Sequence, residues 1–551
     1  MDLQVHIFLI SAITALIGAC PDECICRDRK VLCQGRIITQ FPSNVPVETS
    51  SLFISNTNIS LLKPADFENF AEHLTNLAVK DTDIKEVLPK TFHHTINLEN
   101  LVFLRTQLVS LPEDLFQTLH LLQSFACNEN NIQSLPPSLF SPLKVNTSLI
   151  NLDLSKNQLT SVPDNVFSGL HNLNHLRLNK NHLKELPAGA FDDLENLQVL
   201  ALQDNQIAQL PANLFSNLQK LQSLFLSNNK ISVLPEGIFT SLPSLKRLSL
   251  YDNELQKLSY GTFGPMLIEQ LWLYDNKLST LEDDVFSNLT SVKLLVLSRN
   301  QIESISANAF SGLTEIQEVS LHTNRIINIK KSTFANLPKL VNISLEHNKI
   351  ESISADVLQG VSHIHQLDLR NNSLQNLDQD FLESLHIVDE VLLTLNPWKC
   401  DKDIIPLRDW LKQFPLKVPS SEGILCLGPT SLSGFVIRDI PDKNLIQPTT
   451  QAPTEVDPVT PTEKRRRPHT TPSRRSTPLP TINATTKSDQ GEDTSSGQGN
   501  GTSQLQGNHL IIITVVCMAI IVSTILGVAC WRRYKRDSRD LHQQPKSNSV
   551  I

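Results

Sequence analysis

Residues 268–279 read IEQLWLYDNKLS. Leu271 and Leu273 alternate as the buried face of a β-strand does, and Asn276 follows three residues later. Trp272 and Tyr274 fall on the opposite face, in a chain with only four Trp and four Tyr among 551 residues. Working outward, the pattern L-x-x-L-x-L-x-x-N-x-L recurs with its Asn at 130, 157, 181, 205, 229, 253, 276, 300, 324, 348, 372 and 396. The spacing is 24 residues except for one interval of 27 and one of 23. Thr57, Thr82 and Thr106 stand at the same position in three earlier copies, making fifteen repeats between Leu52 and Asn396. Ten residues after each of the first twelve anchors comes a Phe, from Phe67 to Phe334, and Leu358 and Leu382 continue the row.

A period of this length identifies a solenoid, in which each turn buries its apolar face only against its neighbours. The reading is an α/β-type leucine-rich-repeat solenoid, a curved horseshoe with a parallel β-sheet on its concave face. Disulfide caps, a disordered stalk and one transmembrane helix complete it. The Leu pairs point inward from short strands. After each strand the chain turns away, leaving backbone groups that need partners. A buried Asn amide both donates and accepts, so stacked Asn side chains are expected to form a ladder there. Thr makes fewer such bonds, so the first three turns should be held less firmly. The Phe row is expected to stack as an apolar spine on the convex side.

The two ends differ from this array. Residues 1–19 (MDLQVHIFLISAITALIGA) have the apolar run and small terminal residues of a signal peptide, without a basic start. Leu510–Trp531 is 22 uncharged, largely apolar residues, enough to span a bilayer. A buried core helix is the competing reading and rarely stays uncharged for that length. Arg532, Arg533, Lys535 and Arg536 follow, so the 532–551 tail is expected in the cytoplasm, in a type I single-pass protein of the plasma membrane. Residues 446–508 shift to Thr, Ser, Pro and Gly without apolar period, as in an extended stalk. There Ser496-Gly497, after Glu492 and Asp493, resembles a glycosaminoglycan attachment site, and Lys464–Arg467 reads as a solvated basic cluster. The tail ends in Ser549, Val550 and Ile551, a terminus suited to a cytoplasmic PDZ groove.

Cysteines mark the caps. Cys20, Cys24, Cys26 and Cys33 cluster in an N-terminal cap, residues 20–50, before the repeats of 51–396. Their spacing and a secreted context argue for disulfides over zinc. In the C-terminal cap, residues 397–445, a Cys400–Cys426 bridge is expected, with Trp398 and Trp410 packed around it. Cys127 takes an inward Leu position as a buried free thiol. The N-cap cysteines, the 24-residue period and the NPWKC cap resemble the extracellular leucine-rich-repeat membrane proteins, among them platelet glycoprotein V and the Nogo-receptor group. That resemblance implies Cys20–Cys26 and Cys24–Cys33 bridges. Many members carry four C-cap cysteines where this chain has two.

The exposed strand positions lie six, four and two residues before each anchor. Phe225, Tyr251, Trp272 and Tyr274, with Arg247, are read as one mid-sheet aromatic patch, a composition common in binding hot spots. Lateral stacking that only stabilises the sheet is the alternative. His175 and Arg177 flank it on one side; Glu318, His322, Glu346, Asp368 and Arg370 flank it on the other. The histidines are read as solvated groups rather than metal ligands. Residues 20–445 hold 35 Lys and Arg against 47 Asp and Glu, which argues against nucleic acid and favours proteins with some basic surface. Sequons fall at Asn58, Asn146, Asn288, Asn342, Asn371, Asn483 and Asn500, and a glycan on Asn342 would shield the C-terminal part of the face.

No nucleophile elbow, phosphate loop, zinc-protease helix or carboxylate pair is present, so neither catalysis, a cofactor nor a metal is expected. The expected role is a cell-surface receptor in cell–matrix or cell–cell adhesion and migration. Collagen, fibronectin or laminin are the ligands the family resemblance implies. A signalling or innate-immune co-receptor is the alternative, and the short tail would then need an associated transmembrane partner.

Overall fold

A computed structural model describes residues 20–144, 148–419 and 423–445, all within one compact unit, Met1–Ala452. The 1–19 leader, the 446–508 stalk, the 510–531 span and the PDZ-type terminus at Ser549, Val550 and Ile551 lie outside the described residues, as do Asn146, Asn483 and Asn500. Among the described residues no helix is long and apolar enough to cross a membrane.

The chain forms a β-solenoid around a sheet of 17 strands. Cys24–Arg27 and Lys30–Gln34 make an antiparallel hairpin through left-handed Asp28 and Arg29, with φ 49° and 62°. From Lys30–Gln34 onward every pairing runs parallel, one strand per repeat, to Val388–Leu392. Register follows the repeat: Leu200, Leu224, Leu248, Leu271 and Leu295 are successive partners, all fully buried. Alternation across each strand therefore sends one Leu row into the core and the next column outward.

The Asn ladder forms. Asn229 donates from Nδ2 to the carbonyls of Leu202 and Leu226 at 3.0 and 3.1 Å, and its Oδ1 accepts from the Ile207 N–H at 3.0 Å. The same three bonds recur at Asn181, Asn205, Asn253, Asn276, Asn300, Asn324 and Asn348. Where Thr replaces Asn the rung is missing: the Thr57 and Thr82 hydroxyls are buried without a partner. Thr106 instead donates to Asn130 Oδ1. The first four repeats also have strands of five residues, against three in most later ones.

Just before each anchor sits a left-handed residue, from Asn56 (φ 52°) to Leu395 (φ 64°). Asn and Asp, which tolerate this geometry best, fill seven of the fifteen positions. On the opposite side the Phe spine stacks, as in Phe286–Phe310 at 6.3 Å and Phe310–Phe334 at 5.4 Å between ring centroids.

Both ends are stapled. Cys20 bonds Cys26 and Cys24 bonds Cys33, while Cys400 bonds Cys426 around the buried Trp398 and Trp410. Cys127 is the free cysteine among the described residues, fully buried, and burial pushes its thiol far up. Because the thiolate is the reactive form, Cys127 should resist iodoacetamide at about pH 8 in the native protein and label only on unfolding. Mass spectrometry of its peptide measures this; labelling at the rate of a free thiol would mean the turn opens readily.

Candidate functional site

The outward face of the sheet gathers the sequence's candidate residues but divides them. Tyr251 and Tyr274 stack face to face, centroids 4.5 Å apart and planes 6° from parallel. The Arg299 guanidinium lies 5.1 Å from the Tyr274 centroid, and its Nε donates to Asp275 Oδ1 at 2.6 Å. Burial, and then the neighbouring Tyr251, pushes the Tyr274 phenol well above its ordinary value. This pair has its contacts satisfied from within: ring on ring, cation on ring, carboxylate on cation. It is the stabilising arrangement that lateral stacking predicts.

Phe225 and Trp272 sit two strands apart in one row, with Ser249 between them in register. Both rings are half-buried. Ser249 is only 4 % exposed, and its hydroxyl has no hydrogen-bond partner. Beside Trp272 opens a groove of about 720 Å³ lined by Gln222, Lys246, Arg247, Glu269, Gln270 and Ser291, with Leu267 at its lip. Arg247 is exposed and reaches back to Ser223 Oγ at 3.1 Å. Lys246, Gln222 and Glu269 were missed in sequence because they precede the three outward strand columns; the turn, not the strand, places them here.

The flanks are built differently. On one side His175 is half-buried, its Nδ1 unpartnered, and burial followed by Arg177 lowers its pKa. On the other, Arg370 clamps Glu346 at 2.9 Å and also bonds the buried Asp368. Burial first, and then Asp368, pushes the Glu346 carboxyl up, while burial and then Arg299 push His322 down. Glu318 is exposed in its strand. Among the described residues no group of three or more His, Cys, Asp or Glu is placed to hold a metal ion.

Of the sequons in view, Asn342 lies on this face in the Asn342–Ser344 strand, half-buried. Asn288 uses its amide to bond the Phe263 carbonyl at 2.9 Å, and Asn58 bonds the Arg36 carbonyl at 2.6 Å. Asn371 holds one of the left-handed turn positions, φ 51°.

One surface escaped the sequence reading. Ile25, Leu32, Phe53, Ala78 and Val102 pair in register across the first strands as an apolar row. Ile25 is 69 % exposed and Phe53 40 %. The signal was available at the position four residues before each Thr anchor, but the hairpin that adds Ile25 and Leu32 lies outside the repeat.

Overlapping copies of the leucine rich repeat family model match residues 122–183, 147–207, 171–231, 195–255, 219–273, 266–326 and 314–374. These turns are leucine-rich repeats. Similar curated proteins carry them too. Mouse leucine-rich repeat-containing protein 52 is 34 % identical over 73 residues, 13 % of this chain and 23 % of that one. Rat reticulon-4 receptor-like 1 is 28 % identical over 148 residues, 26 % of this chain and 32 % of that one. Human reticulon-4 receptor-like 2 is 32 % identical over 132 residues, covering 23 % and 31 %. The chain thus spans less than a third of each of these relatives. A leucine-rich-repeat protein of Leptospira interrogans superposes with a TM-score of 0.52 at 24 % identity, over 74 % of this chain and 97 % of that one, a likeness of fold alone.

Proposed function

We propose that this chain is a cell-surface receptor that binds protein ligands on the outward face of its sheet, through Trp272, Phe225 and Arg247. The groove beside Trp272, open and lined by Lys246 and Arg247 with no carboxylate paired to either among the described residues, carries the reading. The Tyr251–Tyr274 pair serves in it as the rigid floor rather than the gripping surface. A leucine-rich-repeat solenoid is a protein-interaction scaffold, and relatives named as receptors support the receptor role.

The finer reading is adhesion. The stretches GTFGPM, LWLYDN, VFSNL, LSRNQI and VSLHTN resemble leucine-rich repeat-containing protein 15, which points to collagen, fibronectin or laminin as ligands and to cell migration. The leader, the 510–531 stretch and its basic flank support a type I protein of the plasma membrane with the repeats outside. Sugars on Asn342 and Asn371 would confine a ligand to the N-terminal and middle turns.

The test is binding of purified full-length chain to immobilised collagen, fibronectin and laminin. Trp272→Ala should weaken the bound ligand at least about tenfold with the fold intact, the loss typical of a buried hot-spot aromatic. Tyr274→Ala should instead lower the unfolding temperature. Matrix binding that survives Trp272→Ala unchanged places the contact elsewhere.

A further inference from the structure

We propose that the groove beside Trp272 takes an acidic segment of a protein partner, its carboxylate on Arg247 and an apolar side chain on Trp272 over Ser249. This rests on the binding role proposed above and adds the chemistry of the ligand.

The first support is charge. Residues 20–445 carry 35 cationic against 47 acidic side chains, yet the groove reverses that sign. Lys246 and Arg247 line it and Lys293 stands at its edge, against the single carboxylate of Glu269. Lys293 already holds Glu269 at 3.2 Å. Arg247 has a hydroxyl for a partner, Ser223 Oγ, and among the described residues neither it nor Lys246 has a carboxylate within ion-pair distance. A concave site with uncompensated cations in an acidic molecule attracts a complementary anion selectively, because the surrounding field repels everything else of that sign.

The second support is independent of charge. Ser249 Oγ is buried between two half-buried rings and has no partner. A buried hydroxyl without a partner is destabilising, and among the described residues nothing bonds it. Ser249 occupies an outward column, but its Oγ is closed off by its neighbours, so a ligand group bonds it only where the Phe225 and Trp272 rings part to admit it. The ligand therefore presents both an apolar body for the rings and a hydrogen-bonding group beside it, which peptides combine routinely.

Extent separates a peptide from a polyanion. A sulfated polysaccharide runs past the groove in both directions, onto a face that carries Asp153, Glu318, Glu346 and Asp368. There it meets carboxylates on both sides of the groove, Asp153 on one and Glu318 on the other, with no cationic track among the described residues to follow past it. A short segment with one or two carboxylates keeps its charge within the cationic groove.

The experiment is selection of a displayed library of random short peptides on purified full-length chain, followed by affinity measurements on the enriched sequences. Enriched peptides should combine Asp or Glu with Phe, Leu or Trp. Each should bind Arg247→Glu at least about tenfold more weakly, and Lys-for-acid versions should regain binding to that variant. Ser249→Ala should weaken binding several-fold while leaving the unfolding temperature unchanged or higher, which a purely structural serine would not do. Enrichment without acidic bias, or no enrichment, overturns the proposal. So does displacement of the peptides by a heparin oligosaccharide at lower concentration than the peptides themselves require. Sensitivity to Trp272→Ala without sensitivity to Arg247→Glu removes the acidic partner and keeps the binding face; insensitivity to both removes the face itself.

Discussion

Gly312→Val should break the array in its C-terminal half. Gly312 adopts φ +83°, and a Cβ built there collides with the Ser287 carbonyl oxygen and sits 2.8 Å from Ser287 Cα. A left-handed conformation alone costs a residue with a Cβ about 1–2 kcal/mol. The collision adds more, because the obstacle is the backbone of the preceding turn, held on both sides by stacked repeats. The total should exceed about 4 kcal/mol, in the range reserved for severe backbone lesions. Gly434→Val is the control: its φ is +84°, but nothing lies within 4 Å of the added Cβ, so it bears the conformational cost with little collision. Because a solenoid's stability is a sum of turns and nearest-neighbour contacts, the damage should be local. Hydrogen exchange should accelerate across residues 285–345 in Gly312→Val while the N-terminal turns stay protected. Equal effects of the two substitutions would show that the close approach to Ser287 costs nothing.

The fold was legible because its causes repeat. One Leu at a given offset says little, but twelve Asn anchors with a Phe ten residues beyond most of them leave one architecture that can bury them all. Sheet order, register and core membership then follow from a single turn. The free Cys127 was also readable, since it fills a position that Leu holds elsewhere.

The site was legible only in part, for two physical reasons. Column arithmetic identifies which side chains face outward but not which of them touch. Trp272 ends its strand and Tyr274 follows two residues later, yet the stacking partner of Tyr274 is Tyr251 of the neighbouring turn, and Arg299 seals that pair. What distinguishes Trp272 is the groove, and its wall comes from Gln222, Lys246 and Glu269 on the turns entering the strands. Those turns obey no strand alternation, so no period reveals them. The reversal of charge at Arg247 was hidden for the same reason: a whole-domain sum of charges averages over a patch of three or four residues.

Asn300→Ala should rank with the glycine substitution, for a different reason. Asn300 is 8 % exposed and holds three backbone groups at once. Its amide donates to the Leu273 carbonyl at 2.9 Å and the Leu297 carbonyl at 3.0 Å, and its Oδ1 accepts from the Leu278 N–H at 3.0 Å. Alanine removes all three bonds and leaves the backbone groups buried, where water cannot replace the amide. At about 1–3 kcal/mol for each group left unsatisfied, partly relieved by local shifts, the loss should be about 3–6 kcal/mol. Asp at the same position is nearly isosteric and keeps the acceptor, but sets a carboxylate against two carbonyl oxygens, so Asn300→Asp should be at least as damaging at neutral pH. Neutralising that carboxylate should relieve it, so the Asp variant should recover part of its stability on acidification while the Ala variant should not. Asn228→Ala provides the reference: Asn228 is exposed and its side chain bonds only the Asp204 side chain, at 2.6 Å, so its loss should cost little beyond the left-handed backbone preference at φ 53°, about 1–2 kcal/mol. Chemical denaturation with hydrogen exchange across residues 273–300 measures the series. An Asn300→Ala protein as stable as Asn228→Ala would mean that the turns are held by the apolar core alone and that the ladder is incidental to them.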